Sequence, residues 1–150
     1  MNKISHIIMI VIVATALTLM YSAQSMAAKT PTGEFAGISV EKGNVNGVTY
    51  ESGGVGIEER AAMDHSMQAY DLRLVFASTK GWDLGHVAVL IKTSDGTVLL
   101  SKESNGPWFW VNLKPGTYEV VASHNGDREV HKVNVAKTPQ SVEFTWHRVM

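Results

Sequence analysis

From Asp71 onward one feature governs what the chain can become: apolar side chains recur at every second residue, and turn dipeptides cut the alternation into short pieces. In DLRLVFAS, Leu72, Leu74 and Phe76 share a face; in HVAVLIKT, Val87, Val89 and Ile91 do so, with Leu90 opposite. A period of two belongs to strands with one covered face. Asp95-Gly96 then separates HVAVLIKT from TVLLSKE, which is a strong hairpin signal. WFWVNL, TYEVVASH, REVHKVNV and SVEFTWHRV follow, parted by Pro115-Gly116, Asn125-Gly126-Asp127 and Lys137-Thr138-Pro139. The expectation is a mostly β domain, a seven-stranded β-sandwich.

The period changes upstream. IEERAAMDHSMQAY places Ile57, Ala61, Met63 or Asp64, and Met67 or Gln68 near helical spacing, with Glu58 and Glu59 at the end where a helix dipole favours acids. One helix of about three turns over 57–69 is predicted, packed on the sandwich. Residues 28–56 carry only brief alternation, in FAGISV and GVTY, and read as an irregular or loosely paired arm closed by a flexible SGGVG at 52–56. The domain then runs from 57 to 150.

At the start, Lys3 precedes an apolar run from Ile7 to Met20, and small residues follow. That order predicts a signal peptide over 1–27, cleaved between Ala27 and Ala28 with Ser25 and Ala27 at the positions a signal peptidase must accommodate. The rival is an uncleaved membrane anchor, for which the run is short against the roughly 20 residues a bilayer needs. No cysteine occurs, so lipid attachment through a thioether, disulfides, thiol catalysis and thiolate metal sites are all excluded. Cleavage would leave 12 basic against 14 acidic residues, and no Lys/Arg cluster points to nucleic acid. The expected compartment is the periplasm, with no membrane span after cleavage.

Trp108 and Trp110 fall on one face of WFWVNL, while Phe109, Val111 and Leu113 line the other. The FWVNL line is the natural inward register, which turns the tryptophans outward. They then form either a ligand-binding platform or, with the helix lying over them, a second small core.

Other chemistry has little local support. The five histidines beyond residue 27, namely His65, His86, His124, His131 and His147, form no HxH or HExxH motif, so a metal site would need the fold to gather them. No GxSxG elbow occurs, and Asp64 and His65 are helix neighbours that point apart. Asp71, Asp83 and Asp95 lack the dense oxygen ligands of a calcium loop, and neither SGGVG nor SHNG has a phosphate-loop context.

The run LKPGTYEVVASHNG, Leu113 to Gly126, resembles the strand, Pro-Gly turn and tyrosine strand of carboxypeptidase regulatory-like domains, the transthyretin-like or prealbumin-like sandwiches. SGGVG at 52–56, YDLRLVFA at 70–77 and NGPW at 105–108 are similar to a family of small exported proteobacterial proteins containing that domain. The resemblance spans about Gly53 to Trp146. It implies a Greek-key sandwich of prealbumin/Ig-like kind that serves as an accessory module, and it supplies no catalytic residue and no cofactor. The functional expectation is therefore a non-enzymatic periplasmic module that binds a protein or small ligand, with Trp108 and Trp110 as ligand-binding residues. A histidine metal-binding protein is the alternative, and a hydrolase the remote one.

Overall fold

The computed structural model describes residues 40–147, all within one structural unit. The expectations for the signal peptide, its cleavage site and the arm before Val40 lie outside the described residues. Nine strands and one α-helix occur among them: β1 (Glu41–Val45), β2 (Val48–Gly53), α1 (Ile57–Ser66), β3 (Leu72–Ser78), β4 (Ala88–Thr93), β5 (Val98–Glu103), β6 (Trp108–Val111), β7 (Gly116–His124), β8 (Asp127–Val135) and β9 (Gln140–Trp146). A 3₁₀ turn, Met67–Ala69, extends α1, so the expected helical segment forms with a tightened end.

The strands lie in two sheets. One has the order β1-β2-β6-β3-β9 and the other β5-β4-β7-β8. β3 and β9 pair in parallel, with Leu72 opposite Gln140 and Ser78 opposite Trp146, whereas the other pairings are antiparallel. One buried cluster draws on both sheets: Leu74, Phe76, Phe109 and Phe144 from the first meet Val89, Ile91, Val120 and Val133 from the second. The inward register of the FWVNL line holds, since Phe109, Val111 and Leu113 all join this cluster.

The seven predicted strands are present, and the arm supplies two more. Residues 41–53 form a hairpin whose second strand pairs with β6, Tyr50 opposite Val111. Its turn is Asn46-Gly47, both residues at positive φ (53° and 82°), with Gly47 N–H donating to Asn44 Oδ1 at 3.0 Å. This left-handed pair matches the twist of the flanking strands. Gly126 and Asn125 repeat the device between β7 and β8, at φ 85° and 48°.

Side chains bridge the two sheets at both edges. On the β1/β5 side, Glu41 accepts from the Tyr50 hydroxyl at 2.9 Å and pairs with Lys102 at 2.8 Å, while Asn46 Nδ2 donates to the Leu99 carbonyl. Lys102 and Tyr50 together hold the Glu41 carboxyl below its ordinary pKa. On the β8/β9 side, Trp146 Nε1 donates to the Asp127 carbonyl at 3.3 Å, and the His131 ring lies 4.4 Å from that of Phe144.

Candidate functional site

Beyond the main core, the outward face of the five-stranded sheet carries Glu51, Arg73, Trp108 and Trp110 side by side, because Glu51 and Arg73 flank Trp110 in register on either side. The helix covers this face. Met63 is its fully buried residue, and the carbonyl of Met63 accepts from Trp110 Nε1 at 3.3 Å. At the far end Arg73 Nε donates to the Met67 carbonyl at 3.2 Å, which fastens the 3₁₀ turn.

The helix starts without a side-chain cap at Gly56. Instead Glu59, in the first turn, reaches back and accepts from the N–H groups of Gly54 and Val55 at 3.0 and 3.1 Å. The carboxylate pins the two residues that lead into the helix, and its charge in the first turn complements the dipole.

Glu51 is buried beneath the helix. Its Oε2 accepts from the Ser66 hydroxyl at 2.7 Å, while Oε1 has no hydrogen bond of good geometry and is compensated by the Lys42 ammonium at 3.4 Å. Burial, reinforced by the Glu51 charge beside it, pushes the Tyr70 hydroxyl up to about 12. A buried charge costs little only when it is paired and hydrogen-bonded, so Lys42, Ser66 and Glu51 act together in anchoring the end of the helix to β1 and β2.

The two tryptophans stack with centroids 5.3 Å apart. Trp110 is buried and Trp108 half-buried, with the Arg60 guanidinium 5.2 Å above the Trp108 ring. Trp110 therefore has no free surface to give to a platform; the rings build the second small core between helix and sheet, and only Trp108 reaches solvent.

Arg60 also ties two loops together. Its Nε donates to the Gly54 carbonyl at 2.8 Å, and its Nη2 pairs with Asp83. Gly54 takes φ 88°, and a Cβ on it would lie 2.9 Å from the Trp108 ring. Gly106 comes so near that its own Cβ would lie 2.3 Å from the Gly53 carbonyl oxygen. SGGVG is thus the end of β2 and a tightly packed corner, rather than a flexible closure. Around this corner Val55, Ile57 and Trp82 stand 68, 88 and 55 % exposed. Ile57, which helical spacing placed with the apolar positions, points to solvent instead.

Sequence reasoning missed Trp82, Arg60 and Asp83 as a group. The available signal was a tryptophan in the short Gly81-Trp82-Asp83 stretch between strands, where a buried role is hard to provide. The spaced aspartates separate into local roles: Asp71 Oδ2 accepts from Leu113 N–H, Asp83 pairs with Arg60, and Asp95 accepts from Thr97 N–H within the β4–β5 turn.

The histidines stay apart. His86 contacts Glu103 at 2.9 Å, His131 lies 3.5 Å from Glu129, and His124 packs on Trp146. Among the described residues no group of three or more His, Cys, Asp or Glu is placed to hold a metal ion. Nor is any helix among them long and apolar enough to cross a membrane. In comparisons with known proteins, no family model, curated protein or solved structure matches the chain.

Proposed function

We propose that this chain is an exported, non-enzymatic interaction module of the periplasm, and that it engages a partner protein through the loop corner around Arg60. The observation that carries the reading is the exposure of Val55 and Trp82, on two loops that Arg60 ties together, and of Ile57 at the start of α1, between Val55 and Arg60 in the chain. Apolar side chains held out on a rigid scaffold are what protein interfaces use as anchors, and tryptophan is prominent among them. The Lys80 ammonium, 5.4 Å from the Trp82 ring centroid, leaves that ring amphipathic rather than greasy. The partner this corner suits is a protein segment with apolar side chains, since the exposed groups offer contact area and few directional polar groups.

The export reading rests on Lys3, the Ile7–Met20 run and Ser25/Ala27. The finer architecture proposed is a Greek-key sandwich of the carboxypeptidase regulatory-like kind. It is supported by two sheets that share one core and by Tyr118, whose hydroxyl donates to the Lys114 carbonyl across the Pro-Gly turn at 2.7 Å. An accessory role follows from that resemblance, and the ligand-binding part of the earlier expectation narrows to the exposed edge of Trp108.

Site-specific photocrosslinking in the native compartment tests this reading. A photoreactive residue at position 82 or 57 should trap one discrete partner, whereas the same residue at position 137, in the exposed loop before β9, should not. Loss of the position-82 adduct on Ile57→Asp, with folding intact, supports the corner. Equal trapping from position 137, or none from the corner, rejects it.

A further inference from the structure

The outward face of the four-stranded sheet is patterned in a way a purely solvated face does not require. Three cross-strand rows run over β5, β4, β7 and β8. The first is Glu103, Ala88, Ser123, Arg128; the second Ser101, Leu90, Val121, Val130; the third Val98, Lys92, Glu119, Lys132. An antiparallel sheet facing water is ordinarily polar on that side. Here three of the four positions in the middle row are apolar, Ser101 being the exception: Val121 is buried among its neighbours, Leu90 is half-buried and Val130 is half exposed. Shallow depressions lie over the first two rows and over the third.

We infer that this face is the contact of a homodimer whose two-fold axis runs along the strands, in the plane of the interface, between β4 and β7. Such an axis exchanges β5 with β8 and β4 with β7 while keeping each row in place. Glu103 then falls over Arg128 of the second copy, and Arg128 over its Glu103. Leu90 meets Val121, and Ala88 meets Ser123, where small side chains let the sheets approach. Lys92 and Glu119, which already pair at 2.6 Å within one chain, meet the same pair reversed, so four charges alternate around a square. Lys132 lays its aliphatic stem over Val98. Self-complementarity of this kind is what an isologous interface demands, and the charge pattern opposes the shifted registers that would bring Lys92 over Lys132 or Glu103 over Glu119. Glu103 also holds His86 at 2.9 Å, which leaves its second oxygen for the arginine. Twisted sheets stacked face to face settle at about −30°, so the middle row carries the closest contact.

With strands about 4.8 Å apart and outward side chains repeating about every 6.8 Å, twelve positions cover roughly 400 Å² of sheet plane per copy. That is at the small end for a specific interface, so the dimer forms at high micromolar concentration and is weakened by salt. The inference uses a different sheet from the proposed partner corner and stands or falls separately from it.

Sedimentation equilibrium of the purified protein, from micromolar to millimolar concentration, reads the association directly. The expected result is a monomer–dimer equilibrium. Arg128→Glu alone and Glu103→Arg alone each raise the dissociation constant by about tenfold or more. The double variant returns it to within about threefold of the parent, because each reversed charge meets a reversed charge on the other copy. Leu90→Arg abolishes association while circular dichroism stays unchanged. A chain that remains monomeric throughout overturns the inference. So does a dimer that survives Leu90→Arg, or a double charge reversal that is no better than either single one.

Discussion

The indole N–H of Trp110 donates to the carbonyl of Met63 across 3.3 Å, joining a strand in the middle of one sheet to a helix 47 positions earlier in the chain. That carbonyl lies near the end of α1, where intrahelical partners run out. The bond therefore satisfies an indole donor that burial would otherwise leave unpaired, on a carbonyl that also accepts from the Ser66 hydroxyl at 3.1 Å, and it fixes the rotation of the helix over the sheet. Everything exposed at the loop corner depends on that rotation, because Arg60 lies on the same helix and reaches Gly54, Trp108 and Asp83 from it.

Removing the Trp110 ring should accordingly loosen the helix before it loosens the sheets. Trp110→Ala is expected to cost about 3 to 5 kcal/mol in chemical denaturation. Trp110→Phe keeps most of the apolar contact and removes one hydrogen bond, leaving the Met63 carbonyl the Ser66 hydroxyl as donor, for a loss of about 1 kcal/mol. Hydrogen exchange of the 57–69 amides should accelerate in both variants more than that of β4 and β7. Uniform acceleration would mean that helix and sheets open as one unit.

Leu113 belongs to the main core, buried beside the Pro-Gly turn, and its N–H is held by Asp71 at 3.1 Å. Leu113→Ala should lower the unfolding free energy by about 2 to 5 kcal/mol, as removal of a buried leucine does where the surroundings relax only in part. An unchanged denaturation midpoint would show that this end of the core collapses around the loss.

The legible part of the fold was the part where burial alternates. Leu72, Leu74 and Phe76 are all fully buried, and the parity of Phe109 against Trp110 gave the inward face of β6 directly. β1 escaped because an edge strand needs few apolar residues: EKGNV buries little of itself, and its charges serve Lys102 and Glu51 elsewhere in the fold. Its one clear signal, Asn46-Gly47, was strong but lacked flanking alternation. The outward turn of the tryptophans was also readable, whereas their cover was not, since nothing near Trp110 in the chain specifies Met63. The exposure of Val55, Ile57 and Trp82 was hidden for the same reason: exposure is a property of what fails to pack there, and a local pattern does not carry it.

Gly54 and Gly96 separate backbone strain from steric contact. Both take left-handed φ, 88° and 90°, yet a Cβ on Gly54 would meet the Trp108 ring at 2.9 Å while one on Gly96 would meet nothing within 4 Å. Gly96→Ala should cost about 1 kcal/mol for the backbone alone. Gly54→Ala should cost that and about 1 to 3 kcal/mol more as the ring is displaced, with a shift in tryptophan fluorescence. Equal costs for the two variants would mean that the ring yields freely.

Trp82 is more than half exposed, so Trp82→Ala should change stability by no more than about 0.5 kcal/mol. The same substitution should remove the crosslinked adduct formed from position 57, which distinguishes a residue kept for contact with a partner from one kept for folding. A stability loss as large as that of Trp110→Ala would assign Trp82 to packing instead.

Tyr70 makes stability sensitive to alkali. Burial and the neighbouring Glu51 charge raise its hydroxyl to about 12 in the folded chain, against about 10 in the unfolded one. Between those values the folded state holds a proton that the unfolded state has released, so stability falls as pH rises. The contribution is fully present below about pH 10 and lost as pH climbs toward 12. Because the hydroxyl is only partly buried, solvent screening limits the effect to about 1 kcal/mol. Tyr50 and Tyr118 are shifted upward as well, chiefly by burial, so the parent should show a broad alkaline decline. Tyr70→Phe removes the ionisable group and leaves the ring, and its stability should fall less steeply than the parent's over that interval. Chemical denaturation across alkaline pH, with phenolate absorbance recorded in parallel, compares the two chains, and identical slopes would show that the Tyr70 hydroxyl does not differ between folded and unfolded states.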